Sequence, residues 1–220
     1  MKVIQCWDDG IVDDVRLTDI LRRCNAKATF SLNPGLNLEE RSFGWINHNR
    51  EVWRLRRCEL PNVYDGFEIC SHSMTHPCLT DVSADRLAWE VGASRDILEG
   101  IFKKPILGLC YPFNACDERV KAALRSAGYI WARGGQNDEG IFPPRDLLEY
   151  NFSCHFLSSD FWPRFKTAKE KVGVFSFWGH SCEMISEAMW HDLEGMIERI
   201  ASDASAEWSF INDLFIDGSV

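Results

Sequence analysis

Residues 68–77 read E-I-C-S-H-S-M-T-H-P, and the fold turns on how they are read. Residues 67–70, F-E-I-C, are expected to be a short buried strand. His72 and His76 follow, four residues apart and just past the strand's C-terminal end. On a helical turn that spacing puts two imidazoles on one face, close enough to share a metal ion. A first-row metal held by two histidines needs at least one more protein ligand. The best source is Asp8-Asp9-Gly10, directly after the apolar run of residues 3–7. Two adjacent acids after a strand can divide labour: one binds the metal, the other takes a proton from the attacking water.

Working outward, residues 2–7 are the first strand, and Asp13 or Asp14 caps a helix carrying Leu17, Ile20, Leu21 and Cys24 at helical spacing. Residues 27–32 are the second strand, ended by the turn Asn33-Pro34-Gly35. Strand, helix and strand in this order indicate a βαβ unit and a parallel sheet. Further on, a helix runs from Ser83 to about Phe102, residues 105–110 are a strand, and a helix over 118–127 stops at Gly128. Residues 129–132 are a short strand, and the glycine-rich piece to Pro144 is a loop. Strands are expected over 149–156, 173–178 and 208–212, with a helix near Pro163 and another over 187–202. Residues 36–65 are the least patterned, and are read as a solvated helix around 50–59 rather than a substrate lid. Seven or eight short strands alternating with helices suit an α/β barrel, whose chemistry sits at the C-terminal strand ends. Asp9, His72, Phe113, Arg133 and His180 all fall just past expected strand ends.

The chain has 220 residues, enough for one domain with a large core, and the whole of 1–220 is expected to be a single domain. No stretch approaches the ~20 apolar residues of a membrane span. The first ten residues lead straight into a strand, so a cytoplasmic location is expected. Nine cysteines without paired C-x-x-C spacing read as free thiols. A net charge of −9 with no basic stripe argues against nucleic acid and suits a neutral substrate or an amine product. The oligomeric state is left open. The glycines around 134–135 carry neither G-x-G-x-x-G nor a P-loop lysine, so no phosphate cradle is expected.

The ordered motifs D-D-G, H-S-M-T-H-P, Y-P-F and W-G-H-S, spread from Cys6 to about Asn212, resemble those of polysaccharide deacetylases of the NodB-homology type, the family 4 carbohydrate esterases. That resemblance implies an α/β fold, specifically the family's distorted, incomplete (β/α) barrel. It also implies that the second acid of D-D-G binds the metal, giving Asp9, His72 and His76 as ligands and Asp8 as the general base. Two imidazoles and one carboxylate suit one divalent ion, most simply zinc, and would tolerate cobalt or nickel. In the family a backbone N–H after the Y-P proline helps to bind the oxyanion, which here falls on Phe113. The sequence departs from the usual pattern at Cys110, where many relatives have an arginine that contacts the base. Arg133, after a short strand and before Gly134-Gly135, is the replacement expected to pair with Asp8.

His180 would protonate the leaving nitrogen, a task for a donor of near-neutral pKa. Glu183 lies close enough in sequence to orient it. Tyr111 and Trp178 are the expected substrate-lining residues, core packing being the alternative for Trp178. His48, His155 and His191 have no motif around them and are read as structural or exposed. With these residues, the resemblance implies a metal-dependent hydrolase of a linear amide C–N bond, removing an N-acetyl group from a carbohydrate. Two alternatives stand beside it. One is hydrolysis of a small cytosolic amide on the same scaffold, allantoinase-like or deformylase-like. The other is a non-catalytic carbohydrate- or metal-binding module, which should have lost Asp8 or His180, yet both are present.

Overall fold

The computed structural model describes residues 1–137, 142–171 and 173–216. Strand β1 (Lys2–Asp8) runs through the centre of a parallel sheet. Helix α1 (Asp14–Arg23) returns the chain to β2 (Thr29–Leu32), which pairs with the upper half of β1, Cys6 to Asp8. Next come two elements outside the main sheet: β3 (Ser42–Asn47) and β4 (Arg50–Arg54), an antiparallel hairpin. The short helix α2 (Leu60–Val63) leads into β5 (Glu68–Ser71). The remaining elements are α3 (Ala84–Phe102), β6 (Gly108–Cys110), α4 (Glu118–Ala127), β7 (Trp131–Arg133), β8 (Cys154–His155), α5 (Phe161–Glu170), β9 (Val174–Gly179), α6 (Glu187–Ala201), β10 (Glu207–Trp208) and α7 (Ile211–Ile216). The sheet order is β7-β6-β5-β2-β1-β9-β8, and β10 takes the lower end of β1, at Lys2 and Val3.

The sheet curls into an incomplete barrel. Residues 150–155 touch both of its edges: Tyr150 bridges to Arg133 on β7, while β8 pairs with β9. The strand expected over 149–156 is therefore split into these two contacts. Alternation along β1 assigns its two faces. Val3 and Trp7 face outward into the layer under the helices, with Leu17, Val91, Leu124, Leu193 and Ile197. Ile4 and Cys6 face inward with Cys70, Trp131, Tyr150 and Phe152. Asp8, two residues beyond Cys6, continues the inward face at the C-terminal end. Full burial of each such Val, Leu or Ile side chain contributes about 1.5–3 kcal/mol.

Three expectations need correction. Residues 50–59 are not one helix: 50–54 are strand β4 and only 57–59 form a short 3₁₀ turn, and the β3–β4 hairpin is half-exposed, with Phe43, Ile46 and Trp53 on its outer face. The last strand ends at Trp208, and residues 211–216 are helical. The reason is local: the Glu68 carboxylate accepts the N–H groups of Ile211 and Asn212, at 3.2 and 3.0 Å, which opens α7 and seats Ile211 and Leu214 in the barrel interior. Thirdly, the two motif histidines are not on a helical turn. They lie on an irregular loop after β5, with Ser73 and His76 at φ 62° and 60°. The expected loop up to Pro144 lies partly outside the described residues. Among the described residues no helix is long and apolar enough to cross a membrane.

Candidate active site

A cleft of about 460 Å³ opens at the C-terminal ends of the strands. Asp8, Asp9, His72, His76, Phe113, Arg133, Trp178 and His180 all line it, together with Trp45 and Asn47 of the hairpin. Each side chain arrives there by a separate device. Asp9 leaves β1 at φ 88°, so its side chain turns toward the histidines instead of continuing the strand alternation. Its backbone is held at both ends: the N–H donates to the Ser31 carbonyl at 3.0 Å, and its carbonyl accepts from Arg54 Nη1 at 2.8 Å. The histidine loop is fixed from below. Asn33 Nδ2 donates to the His72 carbonyl, and the Ser73 hydroxyl accepts the His76 N–H at 3.0 Å. Glu90 of α3, fully buried, accepts from the Thr75 N–H and hydroxyl at 2.8 and 2.6 Å.

Asp9, His72 and His76 offer ligand atoms that all lie within 4.8 Å of one another. His72 Nδ1 sits 2.8 Å from the Cys110 carbonyl; donating there leaves Nε2 as the free ligand atom. Burial pushes the His72 pKa down to about 4, with His76 adding to the shift against the pull of Asp8 and Asp9. Burial also lowers His76, aided by Arg54 and opposed by Asp9. Both rings are thus neutral near pH 7, the state that can coordinate a cation. One carboxylate and two neutral imidazoles, close together at the edge of a solvent-accessible cleft, fit a divalent ion with a coordination position left open.

Asp8 is 3% exposed and surrounded by donors. Oδ1 accepts from the Ser31 hydroxyl at 2.6 Å and from Arg133 Nη2. The Cys6 and Cys110 thiols reach Oδ1 and Oδ2 at 3.8 and 3.6 Å. Arg133 is fully buried, held between the carboxylate and the faces of Phe152 and Trp178. Burial alone would raise the Asp8 pKa, but Arg133, then His72, His180 and Ser31, outweigh it and hold the carboxyl well below the usual range. Arg133 thus reaches Asp8, and Cys110 occupies the space beside it with a neutral thiol, burial pushing its pKa up.

On the opposite wall His180 Nε2 lies 3.9 Å from Asp9 Oδ2, and Nδ1 lies 3.5 Å from Glu183 Oε2. Burial opposes charge on the ring, yet Glu183 together with Asp8 and Asp9 raises its pKa to about 9. The Phe113 backbone sits at φ 55°, and its N–H donates to no protein acceptor among the described residues; its side chain is 71% exposed and meets the His76 ring edge at 4.7 Å. Tyr111 is also among the residues that line the cleft, while its hydroxyl donates to the Leu148 carbonyl at 2.7 Å and anchors the loop. Trp178 does face the cleft, packing edge-on to His180 and His155.

Sequence reading missed three contributors. Trp45 and Asn47 come from the unrecognised hairpin, and Glu90 from a helix face. An acid three residues after Leu87, on the apolar face of the expected helix, was the available signal for Glu90.

The model for polysaccharide deacetylases matches residues 1–131, which include every site residue from Asp8 to Phe113 and stop before Arg133 and His180. The chain belongs to the polysaccharide deacetylase family. Solved structures share the fold. A family 4 carbohydrate esterase from Streptomyces lividans, in complex with acetate, is 13% identical over 96% of this chain and 92% of that one, with TM-score 0.60. The Xyl-CE4 domain of a xylanase from the hindgut metagenome of Trinervitermes trinervoides is 16% identical over 100% and 91%, with TM-score 0.62. The Streptococcus pyogenes deacetylase PplD, with acetate, is 21% identical over 66% of this chain, TM-score 0.56; the match spans only 61% of PplD. No curated protein matches the sequence.

Proposed function

We propose that this protein is a metal-dependent hydrolase of a linear amide C–N bond, which removes the N-acetyl group from a carbohydrate. The observation that carries this reading is Asp8: a buried carboxylate kept ionised by Arg133, directly beside the Asp9, His72 and His76 ligand set, and facing His180 in the same cleft. A divalent ion bound there, zinc by donor type, supplies Lewis acidity toward water and toward the substrate carbonyl.

The chain's own groups supply the remainder. Asp8 accepts the proton that the attacking water loses, a role that requires its ionised form. The Phe113 N–H, free and fixed by the Pro112 turn, donates to the carbonyl oxygen as negative charge develops on it. His180, cationic at neutral pH, passes a proton to the amide nitrogen so that the C–N bond breaks and an amine leaves with acetate. Trp45, Phe113 and Trp178 give the cleft apolar faces suited to a sugar ring, and Asn47, Asn114 and Gln136 add polar partners.

The test is release of acetate by zinc-loaded protein from N-acetylglucosamine oligomers and monomer, with allantoin as the small-amide comparison. Acetate from the sugars supports the proposal. Ring opening of allantoin without acetate release from either sugar would replace it with the small-amide reading.

A further inference from the structure

His155 lies on β8 opposite Trp178 of β9, outside the lining of the cleft. Both of its ring nitrogens are committed. Nδ1 accepts the Leu157 N–H at 3.2 Å, so the neutral ring carries its proton on Nε2. Nε2 donates to Glu183 Oε2 at 3.0 Å. The same oxygen accepts the His180 backbone N–H at 2.8 Å and faces His180 Nδ1 at 3.5 Å. One carboxylate oxygen therefore ties His155 to both the main chain and the ring of His180. The opposite edge of that ring carries Nε2, which faces the cleft.

We propose that His155 is a positioning residue for His180, acting through Glu183. A glutamate three residues beyond the histidine has rotatable bonds to spare. The Nε2–H of His155 selects the rotamer in which Oε2 stands behind the His180 ring. His180 then keeps its Nε2–H directed into the cleft, where the leaving nitrogen would be.

The same three side chains have ligand atoms within 4.8 Å of one another, close enough for a second metal ion. The donor pattern opposes that use. A ring whose Nδ1 accepts a backbone N–H would have to give up its Nε2 proton and become an imidazolate to bind metal there. Packing alone is the other reading, since the ring meets Trp178 at 4.6 Å and Phe156 at 4.9 Å. It is addressed by choosing a variant that keeps an aromatic ring.

The inference rests on His180 acting as proton donor, and the experiment separates the two. His155→Phe keeps the ring and removes the donor; His155→Gln restores an N–H near the Nε2 position. On the acetylated sugar turned over by wild type, His155→Phe should lower kcat about tenfold, the low end for loss of such an outer partner, with KM and metal content unchanged. His155→Gln should recover most of that loss. Nitrogen-15 spectra of the histidine rings at pH 7 give a readout independent of turnover. Wild type should show His155 protonated at Nε2 and bare at Nδ1, and the His180 signals should move in His155→Phe and return in His155→Gln. Equal kcat in wild type and His155→Phe, or no recovery with His155→Gln, would overturn the proposal. So would a His155 proton on Nδ1 in wild type, a result that holds even where a variant fails to fold. Absent turnover in wild type, with the spectra as expected, would count against the deacetylase reading and leave the His155 contact standing.

Discussion

Replacing Arg133 with methionine removes a fully buried guanidinium and leaves the Asp8 carboxylate, 3% exposed, with the Ser31 hydroxyl and two thiols as hydrogen-bond partners and the His180 ring as a remaining positive charge. Breaking a buried ion pair by truncating one partner costs about 3–5 kcal/mol, because the other charge stays buried with its main partner gone. In a chain of this size each kcal/mol lowers Tm by about 2–4 °C, so Arg133→Met should melt roughly 6–20 °C below wild type. The cost should depend on Asp8. In an Asp8→Asn background the orphaned charge is gone, and the double variant should be more stable than Arg133→Met alone, a coupling of more than about 1 kcal/mol. Thermal and denaturant unfolding of the four proteins in the cycle measure this directly. Arg133→Lys, which keeps a charge but not the planar fork, should fall between. A methionine variant within about 1 kcal/mol of wild type, or an additive cycle, would refute the idea that Arg133 exists to hold a buried, ionised Asp8.

Other outcomes follow from the same geometry. Purified protein should bind about one divalent ion per chain, and His72→Ala and His76→Ala should each lose it by elemental analysis; undiminished metal in both would reject the ligand set. Glu90→Ala should weaken metal binding about 10–100-fold by loosening the loop that carries His76, with helix content by circular dichroism unchanged. Glu68 sets a pH dependence away from the cleft: burial pushes its pKa from 4.5 up to about 7, against hydrogen bonds from Thr29, Asn212 and Ile211. A folded pKa above the unfolded one means that its contribution is complete below pH 4.5 and is lost as pH rises through 7, by about 3 kcal/mol at most. Unfolding free energies from pH 4 to 8 should show that decline in wild type and a flatter profile in Glu68→Gln.

Much of this was legible because strand ends and chemistry coincide. The inward alternation Ile4, Cys6, Asp8 could be read from β1, and the run before His72 announced β5. Arg133 could be paired with Asp8 from its order along the barrel, since the strands follow one another around the sheet from β5 through β6 to β7. Other parts had no local signature. Residues 42–54 mix charged and aromatic side chains with a bulge between Phe43 and Trp45, which blurs the period-two signal of a hairpin. The run W-S-F-I at 208–211 is too short to separate strand from helix, and a glutamate 143 residues earlier decides it. His155 meets Glu183 only because β8 and β9 pair, 28 residues apart. The histidine loop was placed correctly in the chain but not in conformation, because Asn33, Ser73 and Glu90 impose a backbone that spacing alone does not specify.

In the proposed reaction Asp8 removes the proton of the attacking water while Asp9 and the two histidines hold the ion. Turnover of zinc-loaded Asp8→Asn, with metal content measured on the same sample, tests it most directly. The expected result is one ion per chain, as in wild type, and kcat lower by about 10²–10⁴-fold. Full metal occupancy with kcat within about tenfold of wild type would contradict it.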